Sequence, residues 1–301
     1  MKDQIADILP LLVRREGAGG RARSISCTSR GTPPPNPLPE YKEGERSAFT
    51  LIELLVVIGI LVILASIFIP YALRLREENR RIDCRDRLQQ IFKSMQAYAA
   101  DNGSSFPRTK YEANEKLTAF GSNADWSNNV TAALWLLVKN GYVRGTSIFL
   151  CPSAGGNEAP VDPTRSDFFN TSQLGYSYAS PYGQTDAYHL TDTLKPAFAL
   201  MADQNPGGAM TVPQTAPLLT IATINSRNHG QAGQNVLYAY GSVEWQITPY
   251  CGMNNDNIYT VRGSRGSTQP TTIPSKEIGT LDPAILPSAD DDSFLYPPRV
   301  K

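Results

Sequence analysis

The sequence predicts an α+β protein in which one long N-terminal helix lies against an antiparallel sheet. Three observations carry that expectation. Ala48 to Ile69 is a 22-residue apolar run whose only charge is Glu53. The stretch after it is strongly charged yet keeps an apolar stripe at helical spacing as far as about Ala100. Beyond that, short alternating apolar segments are separated by Gly, Pro, Asn and Asp, the pattern of strands and turns.

The apolar run is long enough to cross a membrane. At about 1.5 Å per residue it covers roughly 33 Å, against a hydrocarbon core of about 30 Å. A carboxylate inside such a span costs on the order of 2.5–3.5 kcal/mol, so Glu53 either snorkels to the headgroups or has a partner.

Past Pro70, a residue that kinks helices, Leu75, Ile82, Leu88, Ile91, Phe92, Met95 and Tyr98 form the stripe. Arg76, Glu77, Arg80, Arg81, Asp83, Arg87 and Lys93 form the opposite, solvated face. Asp101-Asn102-Gly103 ends the helix.

Residues 1–48 read differently. A weakly apolar patch around Ile8 to Val13 gives way to an Arg-, Ser- and Pro-rich stretch, and Thr32-Pro33-Pro34-Pro35-Asn36-Pro37-Leu38-Pro39 cannot form a helix interior. This segment is expected to be a disordered leader and no part of the fold.

Composition narrows the function. Lys+Arg and Asp+Glu both number 28, so no basic excess points to a nucleic-acid partner. Gly and Pro number 23 each, in keeping with a turn-rich exterior domain. No Gly-x-Ser-x-Gly, His-Glu-x-x-His or phosphate loop occurs, and no cofactor or enzymatic activity is expected.

Ala48-Phe49-Thr50-Leu51-Ile52-Glu53-Leu54, joined to the apolar helix, resembles the type IV prepilin cleavage and methylation motif. Ala48 stands where that family usually has Gly. The resemblance implies a type IV pilin-like fold and a cut by prepilin peptidase between Ala48 and Phe49, with methylation of the new terminus. It also implies a place for Phe49 and Glu53 in assembly, the carboxylate meeting the terminal amine of a neighbouring pilin or pseudopilin subunit.

The partners implied are the peptidase, homologous subunits and the bacterial inner membrane. The N-terminus would be cytoplasmic and the outer domain periplasmic or extracellular, in a pilus or a type II secretion pseudopilus. A second class of function keeps the anchor without the filament: an exterior binding module for a glycan or peptide. One pattern opposes the implied orientation. The leader side carries Arg30, Lys42 and Arg46, while the other side carries Arg74, Arg76, Arg80, Arg81, Arg85 and Arg87, contrary to the positive-inside rule. A motif that is read on the cytoplasmic face sets its own orientation, and Glu77, Glu78, Asp83 and Asp86 are placed to pair with those arginines.

Residues 101–253 are expected to form the globular domain. Trp126 to Tyr142 reads as a second helix stopped by Asn140-Gly141, and Ser147 to Ser153 as a strand ending at Pro152. Gly175 to Ala179 and Phe198 to Pro206 read as further strands, and Gln234 to Trp245 as a hairpin turning near Tyr240-Gly241-Ser242. Residues 254–301 are expected to be an irregular tail, with Asp290-Asp291-Asp292 solvated.

Several of these pieces resemble a prepilin-like group of planctomycete-type bacteria that carries a domain of unknown function. They are Phe149-Leu150-Cys151-Pro152-Ser153, Tyr176-Ser177-Tyr178-Ala179, Met201-Ala202-Asp203-Gln204-Asn205-Pro206, and Asn225-Ser226-Arg227-Asn228-His229-Gly230 leading to Gln234-Asn235-Val236-Leu237-Tyr238. In that group a His precedes an Asp-Gly pair. Here ten residues separate His229 from Tyr240-Gly241, and the Asp is missing. Asp203, His229 and Gly241 are the positions the resemblance marks.

Of the four cysteines, Cys27 lies in the leader and Cys84 on the long helix. Cys151 and Cys251 both fall in turn-rich segments and are the expected disulfide in an oxidising exterior. His189 and His229 are the only histidines, at no metal-ligand spacing, so no metal site is expected. His229 is expected to bond backbone in a turn, and Asp203 to cap a strand end.

Overall fold

A computed structural model describes residues 49–113, 115–121, 126–162, 164–183, 185–207, 212–261, 280–281, 287 and 292–296. The chain divides into two compact units, Met1–Val56 and Val57–Lys301. The leader and Ala48 lie outside the described residues.

In the first unit, Phe49 is exposed and Thr50 caps the start of helix α1, assigned over Leu51–Asp101. Thr50 N and Oγ1 both donate to Glu53 Oε2 at 2.9 Å, and Glu53 N donates back to Thr50 Oγ1 at 3.3 Å. This is a capping box, in which Glu53 satisfies a donor that the first helical turn leaves open.

In the second unit, the helix has two characters. Large apolar side chains from Val57 to Ile69 are exposed. The helix is long and apolar enough to span a membrane. Pro70 is accommodated inside it, on an exposed position. Burial begins at Cys84 and continues through Leu88, Ile91, Phe92, Met95, Tyr98 and Ala99. The expected stripe is therefore shortened: Leu75 and Ile82 are exposed, and Cys84 takes the place on the buried face that Ile82 was expected to hold.

The globular part is α+β. Helix α2, Val130–Lys139, is capped by Asn129, whose side chain accepts from Ala132 N. It buries Leu134, Trp135, Leu137 and Val138. Trp135 and Phe149 each meet Phe168 edge-on, with centroids 5.0 and 5.1 Å apart. Two short strands, β1 (Leu117–Thr118) and β6 (Thr280–Leu281), pair antiparallel. The main sheet is built from β2 (Tyr176–Ala179), β3 (Ala199–Asp203), β4 (Gln234–Tyr238), β5 (Val243–Gln246) and β7 (Leu295–Tyr296), in the order β5-β4-β3-β2-β7 and antiparallel throughout. A short helix α3, Leu218–Ala222, lies between β3 and β4 in sequence.

Two expectations are corrected. Ser147 to Ser153 holds no strand; Thr146–Phe149 is a 3-10 turn, after which Pro152 leaves no amide hydrogen to continue a ladder. The end of the chain is no simple irregular tail, because β7 forms the sheet edge against β2 and Phe294, Leu295 and Tyr296 are fully buried. Asp292 is buried too, whereas Asp290 and Asp291 lie outside the described residues.

Candidate functional site

Four separate stretches deliver four buried donor side chains to one place: Cys84, Cys151, Asp203 and His229. Cys84 comes from the first buried turn of α1. Cys151 follows the 3-10 turn, Asp203 ends β3, and His229 lies in the turn-rich loop before β4. Their ligand atoms all lie within 4.8 Å of one another.

His229 is the centre of this group. Its Nε2 faces Asp203 Oδ2 at 3.3 Å and Cys151 Sγ at 3.6 Å, while its Nδ1 lies 2.7 Å from Glu77 Oε1. Burial disfavours the imidazolium, but hydrogen bonds and charge from Asp203 and Cys151 outweigh it and raise the His229 pKa to about 10. Burial acts the other way on a thiol: it pushes Cys151 far above the ordinary range, with the Cys84 contact adding to it and His229 opposing. For Glu77 the desolvation that would raise its pKa is overcome by hydrogen bonds from His229 and Ser153, so its carboxyl is held below the usual range.

The surroundings fix each donor. Asp203 Oδ2 accepts from Asn235 N at 2.7 Å and Asn235 Nδ2 at 3.3 Å, and Oδ1 accepts from Asn228 Nδ2 at 3.4 Å. Glu77 also accepts from Ser153 Oγ at 2.9 Å. Gly175 is required beside Cys151, since a Cβ there would collide with the Cys151 backbone. Trp245 meets the His229 ring edge-on at 5.4 Å, and the Arg81 guanidinium sits 4.1 Å over Trp245. Arg87 donates to the carbonyls of Ser147 and Leu150 at 2.8 and 2.6 Å, holding the segment that ends in Cys151.

Several residues expected to be separate are thus brought together, and others are not. Asp203 and His229 face each other, so the carboxylate beside the histidine comes from β3 and not from the position before Gly241. The His229 carbonyl accepts from Ala232 N at 3.2 Å in the expected turn while its ring faces side chains, and Asp203 ends β3 with its carboxylate accepting from Asn235 N of β4. The expected Cys151–Cys251 disulfide is not formed. All three described cysteines are free, Cys151 lies against Cys84 and His229, and Cys251 Sγ donates to Pro249 O at 3.6 Å.

Gly241 sits in the β4–β5 turn with φ +93. His189 is exposed, bonded to Ala187 O, and outside the cluster. Phe49 and Glu53 belong to the other unit.

Cys84 and Glu77 are members of the site that no sequence motif marks. The signal was present in their spacing: Glu77, Cys84 and Ile91 recur every seven residues and so share a helix face with Leu88. The Thr50-x-x-Glu53 capping box was equally readable.

Two thiols, an imidazole and a carboxylate, all buried, form a donor set of the kind that holds a soft divalent cation. Comparison with known protein families, with curated proteins and with solved structures finds no match for this chain.

Proposed function

We propose that the chain is a prepilin-like or pseudopilin subunit. Prepilin peptidase cuts it between Ala48 and Phe49, the segment from Phe49 to Ile69 holds it in the bacterial inner membrane, and subunits assemble helix to helix into a pilus or secretion pseudopilus. The globular part faces the exterior.

The observation that carries this reading is the divided character of α1. Leu54 to Ile69 bears no charge and its large apolar side chains are exposed, whereas the face from Cys84 to Ala99 is the buried spine of an α+β domain. A helix with those two halves serves a lipid or subunit environment with one and a folded domain with the other. The Phe-Thr-Leu-Ile-Glu sequence at its start supplies the processing signal.

Glu53 offers the assembly test. A carboxylate and a terminal ammonium, each costly in lipid, attract strongly when paired at low dielectric. Glu53→Ala is expected to leave membrane insertion intact and to exclude the subunit from filaments purified from native cells. Intact-mass analysis of the same material is expected to show a chain beginning at N-methylated Phe49. Entry of the Glu53→Ala chain into filaments, or an uncut terminus, overturns the reading and leaves the anchored binding module.

A further inference from the structure

We infer that Cys84, Cys151, Asp203 and His229 form a structural zinc site that fastens the long helix to the sheet. This inference is independent of the filament reading, since it concerns the folded domain alone.

The four donor atoms are spaced for one tetrahedral ion. Zinc takes thiolate sulfur at about 2.3 Å, and imidazole nitrogen and carboxylate oxygen at about 2.0–2.2 Å, in a tetrahedron. The edges of such a tetrahedron are roughly 3.4 Å between nitrogen and oxygen and roughly 3.6 Å between sulfur and nitrogen. The two corresponding separations here are 3.3 Å for His229 Nε2 to Asp203 Oδ2 and 3.6 Å for Cys151 Sγ to His229 Nε2. The remaining donor atoms fall within the same 4.8 Å limit, so all four can reach one ion with small side-chain adjustments.

The donors are backed by partners of their own. A metal-bound histidine commonly donates its other ring N–H to a carboxylate, which fixes the tautomer and turns the free nitrogen to the ion. Glu77 Oε1, 2.7 Å from His229 Nδ1, is in that position. It leaves Nε2 directed at Cys151 and Asp203. Asn228 and Asn235 hold the Asp203 carboxylate in the same way. A cysteine pair buried only for packing would need none of these.

Two thiolates with imidazole favour zinc over magnesium or calcium, which prefer oxygen ligands. Four protein ligands, all buried, leave no open position for water or substrate, which makes the role structural. Binding displaces three protons to solvent, one from each thiol and one from Nε2 of the His229 imidazolium. The site then holds two thiolates, one carboxylate, a neutral imidazole with its proton on Nδ1, and Zn²⁺, a net charge of −1. With four ligands spread from Cys84 to His229, the ion closes long loops between α1, β3 and the loop before β4.

The test uses the full chain, purified in detergent without added chelator. Elemental analysis is expected to find one zinc per chain. Cobalt replacing the zinc is expected to give thiolate charge-transfer and tetrahedral d–d absorption. Cys84→Ser and Asp203→Asn are expected to lose both. Cys251→Ser, a cysteine outside the cluster, is expected to keep both. Because a ligand variant can fail to fold, Glu77→Gln provides the second measure: it leaves all four ligands in place and is expected to weaken zinc about 10–100-fold in chelator competition. Substoichiometric metal, a cobalt spectrum without thiolate bands, unchanged zinc affinity in Glu77→Gln, or a Cys84–Cys151 disulfide in native protein would each overturn the inference.

Discussion

Glu77 Oε1 and His229 Nδ1 lie 2.7 Å apart although they stand 152 positions apart in the chain. The pair joins the Cys84 face of α1 to the loop before β4, and Ser153 adds a second hydrogen bond to the same carboxylate. Removing the carboxylate strands a buried ring nitrogen, whereas removing the serine hydroxyl leaves Glu77 its other partners. Glu77→Ala is therefore expected to cost roughly 1.5–3 kcal/mol and Ser153→Ala roughly 0.5–1.5 kcal/mol in chemical denaturation of the detergent-solubilised chain. Equal losses, or a larger one for serine, would refute this ranking.

Gly241 closes the hairpin between β4 and β5 against the helix. Its φ of +93 is strained for any residue with a Cβ, and a Cβ built there would stand 2.5 Å from Phe92 Cε1. Gly103 has φ +60 with nothing within 4 Å of the added atom. Gly103→Ala should cost about 1–2 kcal/mol for the left-handed backbone alone. Gly241→Ala should cost about 1–3 kcal/mol more, because Phe92 must also move within a packed face. Matching denaturation midpoints for the two variants would show that the Phe92 contact costs nothing.

Asp167 links acidity to stability. Burial pushes its pKa to about 6, against hydrogen bonds from Thr131, Gly121 and Phe168 that favour the charged form. The folded pKa is raised above the unfolded one, so between about pH 4 and pH 6 the unfolded chain loses its proton while the folded chain keeps it. Stability from this group is thus present at low pH and lost as pH rises, by about 3 kcal/mol for roughly two units. Asp167→Asn removes the titration and leaves a constant offset. The stability of the wild type relative to Asp167→Asn should fall by about that amount from pH 4 to pH 7 on the flat side of the transition. A difference that stays level, or rises with pH, would contradict the raised pKa.

The elements were legible where the chain obeys a period. The membrane-length run, α2 and the β4–β5 hairpin follow from apolar spacing and from Asn-Gly or Gly-Ser turns, which are local properties. The strand expected at Ser147 to Ser153 failed because a short apolar run does not distinguish a strand from a 3-10 turn, and the contacts of Phe149 with Phe168 decide it. Leu295–Tyr296 was missed because two residues carry no period, and they are a strand only through pairing with Ala179 and Tyr178. The cluster was half legible. His229 and Asp203 were marked by a sequence resemblance, but nothing local to Cys84 says which of two other cysteines it will meet. That is set by how the helix face docks, and docking is a property of the whole core.

Thr50 and Glu53 allow capping and assembly to be separated. The capping box gives Glu53 a partner within its own chain, with both Thr50 donors at 2.9 Å. If capping were the whole of its role, Thr50→Ala and Glu53→Ala would behave alike, each fraying the first turn at a cost of about 1 kcal/mol. The filament reading expects them to differ. Thr50→Ala keeps the carboxylate and the backbone N–H that bonds it, losing only the hydroxyl's contacts, so the subunit should still enter filaments, while Glu53→Ala should not. Glu53→Gln sharpens the comparison, because it keeps a side chain able to accept from Thr50 but has no charge to pair with an ammonium. Coassembly of each variant with wild-type subunits, scored by mass spectrometry of purified filaments, gives the order expected: Thr50→Ala retained, Glu53→Gln and Glu53→Ala excluded. Exclusion of Thr50→Ala together with retention of Glu53→Gln would assign Glu53 to the cap and leave its charge without a role in assembly.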